Sequence, residues 1–286
     1  MKMKYFTKEW YNLCQNTTYH FGLRADKRAE SFSDEYFKKL YKKTEAEYLS
    51  MMEEVNNVKF EDIYPEEFIW EPMDDYVPSA EELEQLRKQY YEDREAAREA
   101  YETMDRDFDA ASEKRKFRRM WKEKISEYEK ELPGEILDKV ADIRVLALEK
   151  ASAEVKGAIT AFCKQNDRSI NKTLSDYRKY YKKAFAKGEP HFAEGLHLHD
   201  CDVLSCRKSG KNVVMDFDNS GGFTDTSKVV FRNAKIVCMD APLRGAWWLY
   251  DEIYKTDEGY EIHALLQKKE LVYFTITCDD VEVYCD

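Results

Sequence analysis

At 286 residues the chain is long enough for one large domain or two ordinary ones, and its 43% hydrophobic content excludes wholesale disorder. A formal net charge of -11 argues against nucleic acid as the main partner, because duplex binding is largely phosphate neutralisation. No stretch reaches the ~20 apolar residues of a membrane span, and MKMKYFTKEWYNLCQ at the start has no apolar core, so a soluble, cytoplasmic protein is expected.

The first predicted element is an amphipathic helix capped by Ser33, with Tyr36, Phe37, Leu40, Tyr41, Tyr48, Met52 and Val55 recurring at steps of three and four. VKFEDIYPEEFIWEPMDDYVPS follows, with three prolines, and reads as an irregular segment crossing the core. From Ser79 to Leu132 there is no Gly or Pro. That run predicts one long bent helix, or two with a soft break near SEKRK, along a seam of Leu83, Leu86, Tyr90, Ala97, Met104, Phe108 and Ala111. GEILDKVADIRVLALEKASAEVKGAITAF is apolar on more than one face and predicts a helix in the middle of a bundle. Within it Asp142 and Arg144, two apart, are each expected to meet a different neighbouring helix. Ser169 is placed to cap one more helix, ending at Lys187-Gly188.

After GEPHFAEG the period changes from about four to two. CDVLSC, NVVMDFD, KVVFRNAKIVCM, WWLYDEIYK, YEIHALLQ, LVYFTIT and VEVY are short and rich in β-branched and aromatic residues, with turn residues between them. The fold class is therefore α+β: an N-terminal all-helical bundle over residues 1–190, then a C-terminal antiparallel β domain over residues 191–286, as a twisted sheet, half-barrel or small sandwich. The boundary is expected near residues 188–196. From His191 to Asp286 there are 10 Lys+Arg against 17 Asp+Glu, so -7 of the net charge lies in this last third.

Four stretches have the residue types of a site. In HLHDC, alternation sets His197 and His199 on one face of a strand, as H-x-H metal pairs are set, with Asp200 beside them and His263 a conceivable third ligand. The competing reading is that His199 and Asp200 fasten the first strand by hydrogen bonds. In WWLYDEIY, alternation puts Trp247, Leu249, Asp251 and Ile253 on one face and Trp248, Tyr250, Glu252 and Tyr254 on the other. One face is expected to be core and the other, bearing Trp248, Tyr250 and Glu252, a partly exposed recognition surface. KRKFRRMWKEK interleaves basic and aromatic residues as a nucleic-acid helix would, but its flanking Glu residues favour a solvated face laced with ion pairs. DFDNSGGFTDTS carries part of a calcium-loop pattern. Ser227 stands where the bidentate Glu belongs, and Met215 and Phe217 alternate with Asp216 and Asp218, so it reads as a wide turn between strands.

The seven cysteines, Cys14, Cys163, Cys201, Cys206, Cys238, Cys278 and Cys285, contain no C-x-x-C pair and are expected to be reduced, mostly buried thiols. No phosphate-binding loop, dinucleotide fingerprint, nucleophile elbow or H-E-x-x-H is present.

MKYFTKEWYNLCQ from Met3, ADIRVLAL, LHDC, FDNSGGFT, AWWLYDEIY and GYEIHALL resemble the recurring segments of an uncharacterised, mainly Firmicute family, domain-of-unknown-function family 4085. The resemblance covers nearly the whole chain and implies a full-length bacterial protein of two parts, with Met3 as its original start. It implies no activity. LHDCDV is also similar to the opening of small β domains found among toxin-immunity proteins.

The function expected is a non-enzymatic, immunity-like module that binds a basic protein partner through Trp247, Trp248, Tyr250, Asp251, Glu252, His199 and Asp200, without cofactor, nucleic acid or membrane. The alternative is a metal-dependent hydrolase using His197, His199, Asp200 and His263.

Overall fold

The computed structural model describes residues 3–70, 77–103 and 107–285. In chain order, α1 (Lys8–Gln15) precedes β1 (Arg24–Ala25), α2 (Asp34–Asn56), α3 (Phe60–Ile63), α4 (Ala80–Thr103), α5 (Ala110–Glu131), α6 (Gly134–Leu137), α7 (Ile143–Leu146), β2 (Lys150–Ala151) and α8 (Ala153–Ala184). Then come β3 (Asp202–Ser209), β4 (Asn212–Asp218), β5 (Thr226–Arg232), β6 (Lys235–Met239), β7 (Trp247–Thr256), β8 (Gly259–Gln267), β9 (Leu271–Cys278) and β10 (Asp280–Cys285). The class is α+β, with helices first and an open antiparallel sheet last. No helix among the described residues is long and apolar enough to cross a membrane.

Strands begin where the period changes, but packing divides the chain elsewhere. One compact unit is Met1–Phe21 with Gly157–Asp286, and the other is Gly22–Lys156.

In the unit Gly22–Lys156, α2 and α5 run antiparallel: Phe37 stacks on Trp121 with ring centroids 5.6 Å apart, and Tyr41 meets Phe117 edge-on at 5.3 Å. Tyr36, Leu40, Phe117, Val145 and Leu148 are buried between them. The Ser79–Leu132 run is two helices, and the second starts at Ala110, before SEKRK. Asp109 sets that start, its carboxylate accepting the backbone N–H groups of Ala111 and Ser112 at 2.9 and 3.0 Å. Of the expected seam, Met104 lies outside the described residues, as do residues 71–76 of the Pro-rich segment.

The helix expected from Gly134 is broken into α6, α7 and the start of α8 by caps that apolar periodicity hides. Asp142 caps α7 by accepting the N–H of Arg144 at 3.0 Å, and Ser152 caps α8 by accepting that of Val155 at 3.1 Å. Arg144 meets another helix, reaching Asp34 of α2 at 2.9 Å, whereas Asp142 pairs with Arg144 itself at 2.8 and 2.9 Å. Ser169 caps nothing. α8 runs straight through it, its hydroxyl donating to the carbonyl of Gln165 one turn back at 3.1 Å.

In the other unit the eight strands lie in the order β10-β5-β4-β3-β7-β8-β9-β6, every pairing antiparallel. The chain segment KVVFRNAKIVCM does not stay in one strand: Asn233, at φ 46°, turns it from β5 to β6 on the opposite side of the sheet order. Two four-stranded halves thus form, meeting where the start of β3, with Asp202 facing Trp247, runs beside the start of β7. Both halves supply one core, in which Val213, Met215, Phe217 and Phe231 meet Trp248, Ile262, Phe274 and Ile276. The opposite face of β7–β9 is covered as well. There Leu249 and Leu265 pack with Met3, Phe6 and Trp10 and with Ile170, Leu174 and Tyr177 of α8. Cover on both faces leaves β8 buried from Glu261 to Leu266, including the polar Glu261 and His263, which pair with each other.

Candidate functional site

The two-sided cover decides the fate of WWLYDEIY. Trp248 and Glu252 are fully buried and Tyr250 is half-buried, so the recognition face expected from alternation does not exist as such. Its register is also displaced. Trp248 pairs with Leu266 while Tyr250 pairs with Leu265, leaving Leu249 as a β-bulge. A one-residue insertion switches faces: Trp248 joins the inner core, whereas both Leu249 and Tyr250 pack on the outer face. Trp247, 45% exposed, stays at the surface.

Glu252 holds a segment of the same chain. Its carboxylate accepts three consecutive backbone N–H groups, from Lys4 at 3.0 Å and from Tyr5 and Phe6 at 2.6 Å, and the hydroxyl of Tyr254 also donates to it. Successive N–H groups around one anion form a nest, and here the anion is a buried side chain.

A cleft of about 570 Å³ opens beside Asp251. Its cause is the divergence of β3 from β7. Beyond Trp247 the edge of β7 has no strand beside it, and α8 and the segment from Glu189 to His199 cover it instead. The hydroxyl of Tyr177 takes the place of a strand carbonyl, accepting the backbone N–H of Ile253 at 2.8 Å. Leu198, Leu249 and Ile253 are buried at the floor, Tyr177, Tyr181 and Tyr250 form half-buried walls, and Arg178, Lys182, Glu189, Glu194 and His197 are exposed at the mouth.

Asp251 lines this cleft half-buried, and burial pushes its carboxyl up to about 7. The Nε1–H of Trp248, donated at 3.2 Å, opposes the shift, and the neighbouring Glu252 carboxylate adds to it. Tyr177 is raised as well, first by burial and then by the Asp251 charge. Desolvated groups that perturb one another in a concave site mark functional candidates.

The structure brings His197 and His199 to the cleft with Tyr250 and Asp251, but it does not bring His263. That ring is buried in β8, its Nε2 at 2.8 Å from Glu261 and its Nδ1 at 3.2 Å from Thr275, and burial lowers its pKa. The four-residue metal set is therefore split: among the described residues no group of three His, Cys, Asp or Glu could hold a metal ion. His199 and Asp200 were expected to be buried fasteners or ligands. They bond chiefly to each other, Nδ1 to Oδ1 at 2.9 Å, while the His199 ring stays 46% exposed and meets Tyr250 edge-on at 5.1 Å. It is the backbone of Asp200 that fastens, donating to the carbonyl of Trp248 at 2.9 Å from a φ of 70°.

DFDNSGGFTDTS is a turn packed on this same segment. Asp216 pairs with Arg207 and Ser205, and Asp218 accepts the N–H of Ser220 at 3.0 Å. Gly222 is needed for close approach: a Cβ there would lie 2.5 Å from the sulfur of Cys201 and 3.1 Å from the carbonyl of His199. All seven cysteines are free thiols.

Sequence reasoning named Asp251, Tyr250 and His199, yet missed Tyr177 and Tyr181, whose i, i+4 spacing is indistinguishable from a core stripe. The model of the family described as "Protein of unknown function (DUF4085)" matches residues 94–278, which contain every lining residue of the cleft, and the chain belongs to that family. Comparison with curated proteins and with solved structures gave no match.

Proposed function

We propose that this member of the DUF4085 family is a non-enzymatic, cytoplasmic bacterial binding protein whose Asp251 cleft receives a basic side chain of a protein partner, in the manner of an immunity protein seizing its target. The observation that carries this reading is a protonatable carboxyl at the foot of a cleft walled by Tyr177, Tyr181 and Tyr250. Tyrosine faces attract a Lys or Arg cation, and a carboxyl poised at about 7 ionises when that cation arrives. Glu189 and Glu194 at the mouth extend the attraction, while Arg178 and Lys182 oppose a wholly basic surface and so favour one inserted cation over a polybasic stretch. The excess of acidic residues in the last third of the sequence adds long-range steering.

Titration with arginine and lysine methyl esters, followed by the ring resonances of the cleft tyrosines, tests the reading. Saturable shifts that vanish in Asp251→Asn are expected; equal shifts with a neutral ester, or none, sink it. Elemental analysis of the purified protein separates it from the metal-hydrolase alternative, which requires stoichiometric metal lost in His199→Ala.

A further inference from the structure

The geometry of α2 and α5 points to a second site: we propose that the groove between them binds single-stranded nucleic acid, with bases against Phe37, Tyr41 and Trp121 and phosphates held by Lys42, Lys114 and Arg118. The groove encloses about 520 Å³. Its floor is a platform of half-buried rings, with Phe37 stacked on Trp121 at 22° and Tyr41 edge-on to Trp121 at 5.2 Å. The indole is fixed from behind, its Nε1–H donating to the carbonyl of Arg144 at 3.2 Å. Phe37 is also held by the Arg144 guanidinium, 4.3 Å over its ring, and the sides of the three rings that line the groove offer the aromatic surface on which bases stack.

The basic run from Lys114 to Lys124 divides its charges between two faces. On one, the flanking glutamates neutralise it as expected: Lys116 pairs with Glu113 at 2.6 Å, Arg119 with Glu123 at 3.8 Å and Lys124 with Glu127 at 3.7 Å. Lys114 and Arg118, one turn apart, face the groove with Trp121 next on the same stripe. Neither they nor Lys42 across the groove has an ion-pair partner among the described residues. Lys38 and Arg115 flank them, tied to Asp34 at 2.9 Å and Asp109 at 3.7 Å, and Glu45 is the carboxylate that intrudes.

The overall charge of -11 does not forbid this, because at physiological salt the field at the groove is set by charges within about 8 Å. Duplex cannot present base faces to the rings, and an acidic peptide would satisfy the cations while leaving the platform unstacked. A single strand satisfies both.

Fluorescence anisotropy of a labelled single-stranded oligoadenylate tests the proposal, with duplex of the same length and polyglutamate as competitors. Expected are saturable binding at low salt, a log–log salt slope of about -0.7 per phosphate engaged, and displacement by neither competitor at equal charge. Affinity should fall at least tenfold in Lys114→Glu/Arg118→Glu, a pair exposed enough to leave the fold intact by circular dichroism. Trp121→Leu should weaken binding several-fold at constant charge. If that variant fails to fold, the polyglutamate competition separates stacking from charge alone. Absence of binding, equal binding by the charge-reversed protein, or equal displacement by polyglutamate or duplex overturns it.

Discussion

The Oε1 atom of Glu252 lies 2.6 Å from the backbone nitrogen of Phe6, although 246 positions separate the two in sequence. With Lys4, Tyr5 and Tyr254 completing its shell, this carboxylate fastens the segment that carries Met3, Phe6 and Trp10 over the outer face of β7–β9. Glu252→Gln turns an acceptor into a donor facing donors. A loss of roughly 2–4 kcal/mol is expected from the urea midpoint, against less than about 0.5 for the exposed Glu270→Gln control. Equal midpoints would mean that the apolar contacts alone hold the segment.

Asp251 gives a prediction with a sign in pH. Its carboxyl titrates at about 7 in the folded chain against 3.8 ordinarily, so its stabilising protonated form is fully present below 3.8 and lost as pH rises through 7. Asn mimics the protonated form. Asp251→Asn should therefore raise stability by about 1–2 kcal/mol at pH 8, a figure reduced for the open cleft, and leave it unchanged near pH 4. Thermal melts at the two pH values check this; a gain that ignores pH would contradict it.

Adjacent tryptophans on opposite faces of β7 should respond differently, because one is buried and the other is not. Trp248→Ala empties a site with no exposure and should cost about 3–5 kcal/mol, whereas Trp247→Ala, at 45% exposure, should cost less than about 1. Comparable losses at both would contradict the burial of Trp248 in the inner core.

Gly222 and Cys201 should be coupled. Gly222→Ala drives a methyl to 2.5 Å from the Cys201 sulfur and should cost about 1–3 kcal/mol. Part of that should return in a Cys201→Ala background, and a double-mutant cycle with no interaction energy would refute the contact.

The helix–strand change near residue 190, the Ser33 cap and seven strand segments were legible because period and turn residues are local signals, although KVVFRNAKIVCM divides into β5 and β6. Asp251 and Tyr250 were named as candidates from WWLYDEIY and His199 from HLHDC, and the fold brings the three to one cleft. Three things were not legible. Alternation cannot reveal the bulge at Leu249, since an inserted residue leaves no gap in an apolar run. Burial of Glu252 depended on residues 4–6, far away in sequence, and burial of Trp248 on the inner core that Met215 and Phe217 share with it. The break at Asp142 looked like an interruption in a buried helix because a capping Asp and a core Asp are the same letter. The two cleft tyrosines of α8 fell to the same ambiguity.

A fold that borrows its cover from residues 3–10 carries a cost during synthesis. At ~5–20 residues per second, roughly ten to fifty seconds pass between translation of Phe6 and of Glu252. For that interval Met3, Phe6 and Trp10 lack the strand side of their native surface, with Ile170, Leu174 and Tyr177 of α8 the part of it that is made earlier. In refolding from denaturant, closure over the sheet should be the last and slowest phase, set by the longest loop the chain must close.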